Sequence, residues 1–510
     1  MADYVIVGAG SAGCVLANRL SEDPDVQVVV LEAGGSDRRR EIGIPAAFTK
    51  LYRSEVDWDY WTEPQDQLDG RTIYWPRGKV VGGSSSINAQ IVAPGHRADY
   101  DGWAALGAHG WSYDDVLPYF LRAEPPAALR DPNPLTRAFV EAAAQAGAPA
   151  VVAPVAQRRG RRRSAADIYL RPALGRRNLT LKTGLRVTRV LIEQGRAVGA
   201  AYRDAHGEHT VRCEREVILA GGAVNSPQLL LLSGIGPAAH LAAIGVDVVH
   251  DLPGVGRNLQ DHVAGGIFVA SRRPVSLAAA ETPRNLVRYL VRRRGMLTSN
   301  LGEAIGFVQT RPELEAPDLE LLFIPGVMRE QGLVPPTEHG FTLACIVLQP
   351  RSVGHVELRA ADPLAPPVIQ PAYLTDPADL GVLLSGVRLA RRVVAAPAFA
   401  ELAGDELGPG AAAQSDAELT AWLRSNAQTI YHPVGTCRMG VDDLAVVDLE
   451  LRVRGLEGLR VIDASVMPTV IRGHTNAPTL MVAERGADLI RGRSAPLTAG
   501  AGATPTAPTK

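Results

Sequence analysis

The first thirty residues constrain the fold more than any other stretch of this chain. Tyr4-Val5-Ile6-Val7 is a short β-branched run that reads as a buried strand. Gly8-Ala9-Gly10-Ser11-Ala12-Gly13 follows at once, and residues 14–20 carry a helical pattern that Ser21-Glu22-Asp23-Pro24 ends. Residues 26–31 are a second apolar strand. Strand, helix and strand in this order form a parallel unit with a right-handed crossover. In such a unit Gly8 makes the tight turn and Gly10 lets the backbone approach a pyrophosphate. Gly13 lets the helix pack close to the strand. The pyrophosphate then rests on the helix N-terminus. Glu32 ends the second strand, at the spacing where a carboxylate bonds a ribose hydroxyl. The expected dinucleotide contacts here are Gly8, Gly10, Ser11, Ala12, Gly13, Glu32 and Ala33. A second set, Gly234-Ile235-Gly236-Pro237, lacks the third glycine and reads as a turn.

The other 480 or so of the 510 residues leave room for more than one domain. Residues 34–125 are rich in glycine, proline and aromatics and read as loop-dominated. A helix is expected over 134–146 and several strands over 179–220. Residues 266–420 differ in character. Strand-like runs at 319–324 and 341–349 and a helix over about 376–394 predict an α+β domain on an antiparallel sheet. Residues 459–463 and 479–490 then return to the first domain as a last strand and a last helix. The expected division is 1–125, 165–265 and 430–493 for the nucleotide domain, and 126–164 with 266–429 for the substrate domain and its cover. Residues 494–510, mostly Ala, Gly, Pro and Thr, are expected to be a disordered tail.

Composition excludes some functions. A net charge of −1 makes no electrostatic case for nucleic acid or an anionic membrane surface. The four cysteines are scattered with no C-x-x-C pair, so neither a metal site nor a disulfide framework is expected. No apolar run reaches the ~18 residues of a membrane span, and Met1-Ala2-Asp3 lacks the basic start of a signal peptide. A cytoplasmic location follows as the expectation.

Four further stretches share one resemblance. P-R-G-K-V-V-G-G-S-S-S-I-N at 76–88, G-A-V-N-S-P-Q-L at 222–229 running through S-G-I-G at 233–236, G-V-G-R-N-L-Q-D-H at 254–262 and V-I-D-A-S-V-M-P at 461–468 are similar to signatures of the glucose–methanol–choline (GMC) oxidoreductases, which use FAD. The likeness runs from Asp3 to about Ile490. It implies that Gly82, Ser84 and Asn88 lie against the flavin, Asp463 and Ala464 near its pyrophosphate or ribityl chain, Asn476 and Thr479 at the ring, and the Val187 backbone at the adenine. Some family members attach FAD through a histidine just before this asparagine. Ile87 stands there, so the FAD is expected to be noncovalent. H-P-V-G-T at 432–436 and G-H-T-N-A-P-T at 473–479 supply the paired active-site positions, His432 and His474. A neutral imidazole is a suitable base near neutral pH. The resemblance therefore implies oxidation of an alcohol to an aldehyde or ketone, with His432 taking the hydroxyl proton, His474 orienting the oxygen and hydride passing to flavin N5. The reversed histidine assignment stays open. Two rivals remain: a hydroxynitrile-lyase type of GMC enzyme without net redox, and a flavin-binding protein without turnover.

Departures from the pattern bear on the substrate. After Asn88 many bacterial relatives carry N-A-M-x-Y-x-R-G, whereas this chain reads N-A-Q-I-V-A-P-G at 88–95. The segment between Glu124 and Gln157 is short, and His474 stands where many relatives have asparagine. A shorter cover points to a bulky or extended alcohol, with O₂ or another acceptor taking the electrons. The arginine-rich run at 157–164 is expected to be solvated, and His96, His262 and His355 to be structural.

Overall fold

The computed structural model describes residues 1–494; the expected disorder of the tail lies, beyond Ser494, outside the described residues. Ala2–Val7, the Ser11–Leu20 helix and Val28–Leu31 form the anticipated parallel unit. Val5 pairs with Val29 on one side and Val217 on the other. Val5 and Ile6 point to opposite faces and both are fully buried, which is why this strand is a continuous apolar run rather than an alternating one. The sheet runs Leu179–Lys182, Val28–Leu31, Ala2–Val7, Gly207–Leu219, Arg196–Asp204, Arg186–Glu193. Leu459–Val461 adds in parallel beside Gly207–Leu219, and the final Asn476–Ile490 helix packs on the first helix.

The second sheet is antiparallel, in the order Ala403–Gly408, Val263–Ser271, Gly340–Val347, Leu319–Ile324, Ala304–Val308, Val151–Val152. Its two faces follow from the period of two along Leu319–Ile324. Leu319, Leu321 and Phe323 pack in a core with Phe139 of the Pro134–Gln145 helix and Leu383 of the Pro377–Val394 helix. Glu320, Leu322 and Ile324 turn the other way, and the last two line a large internal cavity between the sheets.

One region departs from expectation. Besides short helical turns, residues 34–125 hold two longer helices, Arg97–Ala105 and Tyr113–Arg122. Each opens on a capping box, His96 with Asp99 and Ser112 with Asp115. The aromatics that made the stretch look irregular are fully buried at Tyr100, Trp103 and Trp111.

Candidate active site

One end of the cavity is made of backbone. Gly8 adopts φ +102°, and a Cβ there would fall 2.6 Å from the Ala220 carbonyl oxygen. A Cβ on Gly13 would lie 1.8 Å from the Gly8 oxygen, so this glycine serves helix packing and does not line the cavity. Gly83 comes so close to Gly10 that a Cβ would sit 2.7 Å from its Cα. The expected contact Gly82 sits one step back, its space filled by the Ser86 hydroxyl; Gly83 and Ser84 face the cavity instead. Ser11 Oγ donates to Asn476 Oδ1 at 2.7 Å, which brings the N-termini of the first and last helices together. Their free N–H groups give this end the character of an anion site. Ala12, Ala33 and Thr479 line it, as does Val187.

Two carboxylates frame this wall differently. Glu32 accepts from the Ala9 and Gly34 N–H groups, both at 2.8 Å, and burial raises its pKa to about 7. Its outer lone pairs remain for a ribose hydroxyl. Asp463 also lines the cavity beside Ala464, but four protein donors occupy its carboxylate: the N–H and hydroxyl of Ser465, the Gly222 N–H and the Ser226 hydroxyl. It pins the start of the Gly222–Leu232 helix and the turn after the last strand.

The other end is made of side chains. The His432 and His474 rings lie 4.7 Å apart, centroid to centroid, at 76°. His432 is presented by a stiff loop. Tyr431 before it takes φ +71°, and its carbonyl accepts from Arg77 at 2.7 Å. Gly435 after it takes φ +90°, where a Cβ would strike the Asn258 oxygen at 2.4 Å. The His432 N–H donates to Asp261 at 2.7 Å. Burial raises the Asp261 pKa to about 6, against hydrogen bonds from Thr429 and Tyr373.

His262 revises its expected role. It is fully buried, and its Nδ1 lies 2.9 Å from His432 Nδ1 while its Nε2 lies 3.1 Å from the Leu348 carbonyl oxygen. A carbonyl only accepts, so His262 Nε2 must carry a hydrogen. Burial, followed by the charge of His474, lowers the His262 pKa to about 3, so the ring is neutral and its Nδ1 is a lone pair. His432 must therefore donate from Nδ1, which leaves its Nε2 unprotonated. Burial, then His474 and His262, hold the His432 pKa well below the ordinary imidazole value. His474 has a different neighbour. Its Nε2 lies 2.9 Å from Glu320 Oε1, and Glu320 is fully buried with Oε2 unpartnered.

Between the two ends, the expected Asn88 keeps company with two polar groups, Arg162 and Gln90, whose roles the sequence did not show. Asn88 Oδ1 accepts from the Gln90 N–H at 3.0 Å and from Arg162 Nη1 at 2.8 Å. Arg162 is thus not solvated like Arg158, Arg159 and Arg161. It is 3% exposed, with Nη2 unpartnered, and burial lowers its pKa to about 9. The Gln90 side chain lines the cavity, 1% exposed, with both amide atoms unpartnered. Phe48, Ile91, Leu301, Leu322, Ile324 and Met328 make the rest of this end apolar. His96 caps a helix and His355 sits on the surface near Glu357. The four cysteines are free and buried, and among the described residues no group of His, Cys, Asp and Glu is placed to hold a metal.

Fold and cavity together define a dinucleotide-binding oxidoreductase architecture, with one cavity end of close-packed backbone and a histidine pair facing an apolar chamber. Models of the GMC oxidoreductase N- and C-terminal domains match residues 2–264 and 350–483, and the chain belongs to this FAD-dependent family. An uncharacterised GMC-type oxidoreductase of Mycobacterium tuberculosis is 49% identical, covering 96% of this chain and 99% of its own. An alcohol dehydrogenase (acceptor) of Pseudomonas putida is 42% identical over 96% of each chain. The crystal structure of pyridoxine 4-oxidase from Mesorbium loti superposes with a TM-score of 0.88 at 32% identity, over 97% of this chain and 100% of its own. The close glycine contacts, the paired helix N-termini and Glu32 suit the pyrophosphate and ribose of FAD.

Proposed function

We propose that this enzyme oxidises an alcohol to an aldehyde or ketone, with His432 as the base. The supporting observation is the pair of contacts His262 makes, 2.9 Å to His432 Nδ1 and 3.1 Å to the Leu348 carbonyl oxygen, from which we infer a lone pair on His432 Nε2. That nitrogen takes the hydroxyl proton as the carbon gives up its hydride. His474 steadies the substrate oxygen. Glu320 accepts from its Nε2 and fixes the ring. FAD, when bound, supplies the hydride acceptor. It is held noncovalently, since the buried Ile87 offers no nucleophile. Arg162 holds Asn88 from behind and places a positive charge on that side of the site. Gln90 offers a donor and an acceptor to a second polar group of the substrate, and the apolar chamber accepts an extended carbon body.

The test is the visible spectrum of the purified flavoprotein before and after anaerobic addition of primary, secondary and aryl alcohols. Bleaching of the flavin band supports the reading, and admission of air then tests O₂ as the acceptor. A band that never bleaches while the protein cleaves a cyanohydrin sinks it in favour of the lyase.

A further inference from the structure

Two surface features that the alcohol chemistry does not use lie side by side. The first is the helix Pro283–Arg292, P-R-N-L-V-R-Y-L-V-R. Only Tyr289 on it is buried; its hydroxyl donates to the Gly43 carbonyl at 3.2 Å, while Asn285 donates to the Ala279 carbonyl at 2.8 Å. Those two side chains occupy one edge of the helix. At 100° per residue, Leu286, Leu290, Val287 and Val291 form a continuous arc on the other side, and Arg284, Arg288 and Arg292 a second arc beside it. The four aliphatic side chains are 46%, 56%, 59% and 76% exposed, in the order Leu286, Leu290, Val287, Val291. A soluble helix ordinarily buries its apolar arc.

The second feature is the arginine-rich hairpin of Gln157–Arg158 and Arg161–Arg162. Its turn glycine, Gly160, sits against the end of the same helix: a Cβ there would lie 2.6 Å from the Arg293 carbonyl oxygen. Arg158, Arg159 and Arg161 are exposed, and Arg130 donates to the Arg293 carbonyl from nearby. Arg130, Arg158, Arg159, Arg161, Arg284, Arg288, Arg292 and Arg293 pair with no carboxylate among the described residues. The acids Glu281 and Asp131 border the patch and each is engaged, Glu281 with Lys50 and Asp131 with Arg294; Glu41, beside the hairpin, pairs with Arg39. No Asp or Glu occurs between Glu281 and Glu303.

We propose that this face docks on an anionic lipid surface, the helix lying in the interface with its Leu/Val arc in the acyl boundary and the arginines on the headgroups. Phosphates of a nucleic acid would account for the arginines but leave four aliphatic side chains in water. An apolar protein groove would account for the aliphatic arc but not for the arginines around it. A second copy paired face to face would oppose two sets of arginines. An anionic bilayer satisfies both arcs at once. The chain's net charge of −1 hides this local field, because the acids that balance it lie elsewhere. The helix packs on Met296–Thr298, which packs in turn on Pro45–Leu51, and these segments lead into or carry the cavity-lining Leu301 and Phe48. A bilayer there lies next to the apolar chamber.

The test is co-sedimentation of the purified flavoprotein with vesicles of phosphatidylcholine alone or mixed with phosphatidylglycerol, at low and high salt. It reads lipid binding and not turnover, so it stands or falls apart from the alcohol reading. Wild type is expected to pellet with the anionic vesicles and to be released by salt. Leu290→Gln with Val291→Gln is expected to weaken this by about tenfold. Arg284→Gln with Arg288→Gln and Arg292→Gln is expected to weaken it by about a hundredfold, at roughly fivefold per arginine. These side chains are exposed, so both variants should keep the flavin spectrum of the wild type, which controls for folding. Wild type remaining in the supernatant at low salt overturns the proposal. So does the Leu290/Val291 variant pelleting like wild type, or that variant converting a wild-type dimer to monomer in the ultracentrifuge.

Discussion

The two ends of the cavity are built on opposite plans. At the nucleotide end, glycines and helix N-termini present backbone, and the fit depends on distances that no side chain can adjust. At the histidine end, side chains from four distant segments meet, and the fit depends on which atom holds which proton. A backbone wall fails as a whole when one atom is added. A side-chain wall loses one function at a time and keeps its shape.

The largest expected effect breaks the backbone wall. Gly13→Val puts a Cβ 1.8 Å from the Gly8 oxygen, and backbone there cannot yield. The purified variant should carry no flavin absorbance; a yellow Gly13→Val protein would falsify this account of the wall. At the other end, His432→Ala should keep the flavin band while slowing its anaerobic reduction by about 10²–10⁴-fold. His262→Leu is milder. It removes the acceptor that fixes the His432 tautomer, and reduction should slow by about tenfold, the worth of one buried hydrogen bond. A rate equal to wild type would show that the tautomer is set elsewhere.

The pH profile sharpens the same contrast. The His432 pKa is lowered, so its basic form persists as the pH falls below the ordinary imidazole value. The flavin-reduction rate should hold level from pH 8 to about 6.5 and lose its base only below that. An acid limb centred above pH 7 would instead point to another group. The smallest effect is at Gln90. Gln90→Met removes two unpartnered buried polar atoms and should stabilise the cofactor-free protein by about 1 kcal/mol in urea unfolding, while raising KM for alcohols with a second polar group.

The backbone wall was legible in the sequence because glycine spacing is local: the unit from Ala2 to Leu31 declares its turn, its helix and its acid within one stretch. The histidine pair was legible only through resemblance. The groups that tune it were not legible at all. Glu320 sits in L-E-L-L-F-I, where an acid reads as the solvent side of a strand; it is buried because that side meets His474, 154 residues away. Arg162 looks like Arg161 and Arg163 beside it, and only the hairpin's alternation turns it inward. His262 belonged to a recognised motif, yet nothing in that motif says its ring touches His432. The helices within 34–125 were missed for a different reason: their caps were present, but buried aromatics outweighed them in the reading.

The bond from Ser11 to Asn476 joins residues 465 apart. At a synthesis rate of roughly 5–20 residues per second, the first helix waits about 25–90 s for its partner to leave the ribosome. Until then the glycine turn exists without the last helix that completes it. A chain cut short before Asn476 carries the glycine turn but lacks the second helix N-terminus that lines this wall.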